Sequence, residues 1–280
     1  MNYFAHGVAF LDRPYLLAGT AVPDWLLVAD RQVRVRSRQI HAWFLRSGLD
    51  GDQRHSAIGQ VAQGILQHLA DDQQFHRSQA FREFSFLLSQ QVGSLLDEEA
   101  LRCPKRPGRP PELSHLPHFG QAKHANPSIG QTTSEATSAQ PSTLPNSSGG
   151  FDTSFVGHLL VELLLDAALI AENPARLDHY YRALDQVDIK IILEAVHQIT
   201  ARRADRLATM ILEFRRLRIL WDYLDDRKLL TRLNQVMRRV GLVELPPALL
   251  DLLPSARQQV ASRTKQLLAG LPTETLFEKR

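Results

Sequence analysis

One nearly unbroken apolar run, SFVGHLLVELLLDAALI at residues 154–170, carries His158, Glu162 and Asp166 at four-residue steps. Its length and the absence of alternation predict a helix buried around much of its circumference. Side chains at i, i+4 and i+8 share one face of such a helix, drifting about 40° per step. A carboxylate placed there is costly unless it is paired, protonated or bound to a cation. The same spacing recurs in GILQHLADDQQFHRSQAF, where His68, Asp72 and His76 line another helical face. A helical fold that joins the two faces, with a divalent cation between them, accommodates both most economically.

The rest of the chain reads the same way. Ile58, Val61, Ile65 and Leu69, then Phe75, Phe81, Phe84 and Leu88, fall at helical spacing over residues 53–100, with a break near 71–75 or 77–78. Asp152, Thr153 and Ser154 are candidate N-caps for the apolar helix, and Asn173 with Pro174 its stop. Further helices are expected over 175–184, 185–199, 200–241 (one long or two) and 255–269, with a short one after Pro246 and Pro247. Alternation is confined to 31–38. Between 103 and 150 the sequence turns to Pro, Ser, Thr, Gly and Gln, holding more than half of its fifteen prolines and His115, His118 and His124. That stretch is expected to be a flexible insertion. The expected architecture is an all-α compact bundle, with residues 1–102 and 151–280 as two halves of one domain around the 103–150 insertion.

Composition narrows the function classes. The chain is 280 residues long, with ample apolar content for a core and a net charge of only +3, so an acidic partner is permitted without being demanded. The single cysteine, Cys103, rules out an internal disulfide and fits a reducing compartment. The N-terminus lacks the basic and apolar regions of a signal peptide, and no apolar run is uninterrupted long enough to span a bilayer. A cytoplasmic protein without a membrane association is expected. P-loop, dinucleotide-binding, zinc-finger and serine-nucleophile signatures are missing.

The opening segment, MNYFAHGVAFLDRPYLLAGTAVPDWL, adds two more candidates. His6 lies in an apolar setting and should point inward. Asp24 follows Gly-Thr-Ala-Val-Pro, which reads as a turn from which a carboxylate can be aimed freely. Taken singly, His6 could be a hydrogen-bonded core histidine and Asp24 a helix cap.

Met1-Asn2-aromatic-x-Ala5-His6, followed by Gly19 and Asp24, then Gly64-Ile65-x-x-His68-x-x-x-Asp72, resembles the acyl carrier protein phosphodiesterases. These are all-α proteins distantly related to HD-type metal phosphohydrolases, and the resemblance covers about the first 90 residues well. It implies an HD-like bundle, a divalent cation, commonly manganese, and release of 4′-phosphopantetheine from holo acyl carrier protein. It implies roles for His6, Asp24, His68 and Asp72. The chain departs from the family in its length, in its Pro/Ser-rich insertion and in having no His-Asp doublet on the ligand helix, where Asp71 and Asp72 follow His68 instead.

The expected metal ligands are thus His6, Asp24, His68, Asp72, His158, Glu162 and Asp166, which with His76 are enough for one cation with supporting partners or for two. Mixed imidazole and carboxylate donors suit zinc, iron or manganese, and carboxylate-heavy sites lean toward manganese or magnesium; the resemblance implies manganese foremost. A bound cation would lower the pKa of a coordinated water and clamp a phosphoryl oxygen. Asp24 is expected to be important for activity, Glu162 to take the water's proton and His76 or His158 to protonate the leaving group. Arg34, Arg36 and Arg38 are candidates for a phosphate-binding surface. The interspersed acids around the arginines at 202–218 read as ordinary surface pairing, which makes nucleic acid an unpromising partner. The partner is expected to be an acidic carrier protein or a small phosphoester. The competing expectation is a non-catalytic helical binding protein, whose buried His/Asp/Glu network only holds helices in register.

Overall fold

The computed structural model describes residues 2–46, 56–102 and 152–274. Cys103 and the expected insertion, including His115, His118 and His124, lie outside the described residues. Among the described residues every regular element is helical, so the all-α expectation holds. In chain order they are α1 (Tyr3–Gly7), α2 (Pro14–Ala29), α3 (Ser37–Arg46), α4 (Ala57–Arg77), α5 (Gln79–Arg102), α6 (Thr153–Glu172), α7 (Pro174–Asp185), α8 (Ile189–Thr200), α9 (Leu207–Leu217), α10 (Asp226–Arg239), α11 (Leu249–Ser262) and α12 (Thr264–Leu267). Short 3₁₀ turns occupy Val8–Phe10, Ile219–Leu224 and Pro272–Glu274.

The central helix is α6. The Asp152 side chain caps it by accepting the Phe155 N–H at 3.0 Å. It has the length and apolar character to cross a membrane, yet 61% of its most apolar window is buried inside the protein, as suits a core helix. It packs on α5, α11 and α1, so segments from both sides of residues 103–151 share one core.

The most extensive helix pair is α2 with α4. A Cβ on Gly19 would lie 2.4 Å from the Val61 carbonyl oxygen, and one on Gly64 would lie 2.1 Å from the Leu16 oxygen. The two glycines therefore let the backbones touch. This crossing explains why α2 runs through Pro23, where a turn was expected. Proline leaves the Gly19 carbonyl without its helical donor and costs about 3 kcal/mol in a helix interior. Leu17, Ala18, Ala21, Val22, Trp25 and Leu26 are buried on both sides of it, and that burial offsets the loss. Asp24 consequently projects from a helix rather than a loop.

Other boundaries follow from local chemistry. The break in 53–100 falls at Ser78, which is extended and accepts the Phe81 N–H on its hydroxyl at 3.1 Å. The region expected as one or two helices over 200–241 is divided further. Ala201 and Arg218 adopt left-handed backbone angles (φ 55° and 47°) that end α8 and α9. Asp225 then caps α10 through the Lys228 N–H. Residues 33–36 form no strand: Val33 and Val35 turn inward and the intervening arginines outward before α3 begins. Trp25 and Trp43 are core, while Trp221 is only partly buried.

Gly19→Ala or Gly64→Ala should force the α2–α4 crossing apart and lower unfolding free energy by about 2–3 kcal/mol. Gly93→Ala, where a Cβ would meet only Thr153 at an ordinary 3.9 Å, should be neutral or slightly stabilising. Urea denaturation of the three variants checks both. Equal effects at all three positions would contradict a glycine-dependent crossing.

Candidate metal centre

Five residues cannot hold a helix in water by themselves, yet α1 carries His6 into the interior, where it has no solvent exposure. Distant groups hold it. Asp166 accepts the backbone N–H of Phe4 at 3.0 Å and of Ala5 at 2.8 Å. Thr273 donates its hydroxyl to the Ala5 carbonyl at 2.6 Å, and Asn2 caps the first turn through the Tyr3 N–H. The helix lies against α2, α4 and α6.

There the His6 ring packs on that of His68, centroids 4.0 Å apart. His6 Nδ1 faces Asp71 Oδ2 at 3.4 Å, and His68 Nδ1 lies 2.8 Å from the Thr20 carbonyl, to which it donates. Bonds to the Nδ1 atoms leave the Nε2 atoms for another partner, as at metal-binding histidines. His6 Nε2 is 3.4 Å from Asp72 Oδ1; His68 Nε2 is 3.8 Å from Asp72 Oδ2 and 4.0 Å from Asp24 Oδ1. Two buried atoms here, His6 Nε2 and Asp24 Oδ2, have no hydrogen-bond partner among the described residues.

Their electrostatics are strongly coupled. Burial opposes protonation of His6, but the Asp71 and Asp72 carboxylates outweigh it and raise its pKa. Burial and the neighbouring His6 push His68 well below the usual imidazole range. Burial would raise Asp72, yet the adjoining imidazoles hold it far below the ordinary carboxylate value. Asp24 is pushed up to about 7, by burial first, with the Asp72 and Glu162 charges acting in the same direction.

A second group is formed by His76, farther along α4, with His158 and Glu162 of α6. Glu162 Oε1 is 2.9 Å from His76 Nε2 and 3.2 Å from His158 Nε2, and the two rings stack at 4.8 Å. The edges of Phe75 and Phe81 flank them. Despite its burial, Glu162 is held well below the usual carboxylate range, with both imidazoles contributing.

The structure therefore divides the expected ligands. His6, His68 and Asp72 converge with Asp24 beside them, and Glu162 and His158 converge with His76, which was expected as a proton donor. Each set could hold a divalent cation. Asp166 joins neither. Two steps of about 40° turn it away from His158, and its carboxylate is committed to the α1 N–H groups. Burial raises its pKa to about 7. Arg34 and Arg36 are exposed on the segment between α2 and α3, and Arg38 on the first turn of α3. Asp71 had no assigned role, although its place beside Asp72 put it within reach, and the Thr20 carbonyl carries no signal in sequence.

No family model, curated protein or solved structure matches the chain. The site must be argued from its own chemistry. Two imidazole nitrogens and the Asp72 carboxylate lie within 4.8 Å of one another, with Asp24 Oδ1 4.0 Å from His68 Nε2, and this set could hold a metal ion.

The folded chain holds the Asp24 proton to higher pH than the unfolded chain, whose usual value is 3.8. The stability this contributes is full below about 4 and lost as pH rises through about 7. In metal-free protein, Asp24→Asn should match the parent near pH 4 and exceed it at pH 8 by on the order of 2–4 kcal/mol. Urea unfolding at the two pH values reads the difference, and a gap that does not widen with pH would contradict this burial.

Proposed function

We propose that the chain is a metal-dependent phosphoester hydrolase whose cation is held by His6, His68, Asp72 and Asp24. One observation carries the reading: Asp24 Oδ2 is buried without a hydrogen-bond partner among the described residues, and His6 Nε2, equally buried, meets only Asp72 Oδ1, at 3.4 Å. A buried polar atom left so costs about 1–3 kcal/mol and asks for a ligand. With Nδ1 turned to Asp71, the neutral His6 ring offers a lone pair on Nε2 and Asp24 one on Oδ2, which with Asp72 and His68 makes a donor set a cation would use.

When bound, the cation supplies Lewis acidity toward a phosphoryl oxygen and acidifies a water. The chain's own groups do the rest. Asp71 and the Thr20 carbonyl fix the two imidazoles through Nδ1. Asp24 would meet the cation through Oδ2, which leaves Oδ1, on the His68 side, to accept a proton from the attacking water. Glu162, expected in that role, is a poorer acceptor because two imidazoles already bond its carboxylate. Asp72 has its outer side at the surface, which gives a substrate an approach to a centre whose histidines are covered.

The resemblance to acyl carrier protein phosphodiesterases supplies the finer proposal. The phosphoester would be the 4′-phosphopantetheine linkage of holo acyl carrier protein, met in the cytoplasm, with manganese as the metal. The competing reading, a binding protein with a structural polar network, leaves the orphaned Asp24 Oδ2 unexplained.

Purified protein should carry manganese, zinc or iron by elemental analysis and hydrolyse holo acyl carrier protein or a simple diester such as bis(p-nitrophenyl) phosphate. Chelation should abolish turnover, and Asp24→Asn should lower kcat by about 10²–10⁴-fold in a folded protein. Metal-free protein, inert toward every phosphoester and unchanged by chelator, would leave the binding-protein reading.

A further inference from the structure

We infer that His76, His158 and Glu162 form a second cation site, separate from the first and of a different class. It shares no ligand with His6, His68, Asp72 and Asp24, so either site can exist without the other and the inference does not rest on hydrolysis.

Its construction is local and well defined. His158 and Glu162 are one four-residue step apart on α6, and His76 reaches them from α4, one such step beyond Asp72. A donor atom of each lies within 4.8 Å of the other two. Both imidazoles present Nε2 to the same carboxylate oxygen, at 2.9 and 3.2 Å. Stacking of the rings and the flanking Phe75 and Phe81 restrict their rotation, so three donors stay aimed at one point. Seating a cation among these donors needs only small side-chain motion, since ligand bonds of about 2.0–2.2 Å place donors roughly 3–3.5 Å apart.

Two features set the class. The donors are two nitrogens and one oxygen, whereas the first centre, with the same three nearest donors, has the Asp24 carboxylate beside them. That set suits zinc or ferrous iron over manganese or magnesium. The site is also open: the His76 and His158 side chains are 32% and 41% exposed, whereas those of His6 and His68 are 0% and 3%. A groove of about 950 Å³ along α5 and the start of α6, lined by Phe81, Arg82, Ser85, Ser89 and Ser154, ends at His158. Three protein donors leave at least one coordination position, and this groove provides the approach to it. The second cation is therefore exchangeable and reachable past both of its histidines, whereas the first is approached only past Asp72.

Metal-free protein titrated with Co²⁺, followed by visible absorption and calorimetry, should bind two equivalents per chain. His158→Ala and Glu162→Gln should each lose one equivalent and keep the other; His68→Ala should lose the complementary one. A single equivalent in the parent, unchanged by His158→Ala and Glu162→Gln, would overturn the proposal. A second measurement needs no variant of the site. Diethyl pyrocarbonate should modify His76 and His158 in metal-free protein, and Zn²⁺ should protect both by at least about tenfold, in the parent and in His68→Ala alike. Equal modification with and without Zn²⁺ would refute the site even if the variants failed to fold.

Discussion

One carboxylate, that of Asp166, holds the N–H groups of Phe4 and Ala5 across 162 and 161 residues of chain. Without that bond α1 has no reason to be a helix, and His6 no reason to lie inside the protein. Burying Asp166 is unfavourable, as its raised pKa records. The expense is met because two buried backbone donors would otherwise be orphaned. The acidic residue thus serves the candidate site at one remove, by fixing the element that delivers an imidazole to it.

The other half of the site depends on close backbone approach. Gly19 and Gly64 bring α2 and α4 into contact, which sets the Thr20 carbonyl against His68 and places Asp24 one helical turn beyond it. Larger residues at the crossing would separate the donors by more than a shared ligand can span. The cluster is consequently pre-organised by packing, and the two polar atoms left without partners mark where that organisation is directed.

Much of this was legible in the residues themselves. The i, i+4, i+8 triads on two apolar helical faces pointed to buried imidazole and carboxylate groups, and His68, Asp72, His158 and Glu162 are found on them. Periodicity does not show how far a four-residue step drifts against a particular neighbour, so it could not separate Asp166 from His158 and Glu162, or assign His76 to the second group. Asp24 was read on a turn because Gly19 and Pro23 disfavour helix locally; a tertiary crossing overrides both. The left-handed residues Ala201 and Arg218 are neither Gly nor Asn, so the ends of α8 and α9 had no local signal. Asp71 was visible beside Asp72, but its partner comes from a helix 65 residues earlier in the chain.

The most direct test of the first centre is anomalous diffraction from crystals grown with Mn²⁺, recorded on both sides of its absorption edge. The account predicts a peak about 2.0–2.3 Å from His6 Nε2, His68 Nε2 and carboxylate oxygens of Asp72 and Asp24. A saturated crystal with no peak there, and an ordered water or a rotated side chain satisfying His6 Nε2 and Asp24 Oδ2, would contradict it.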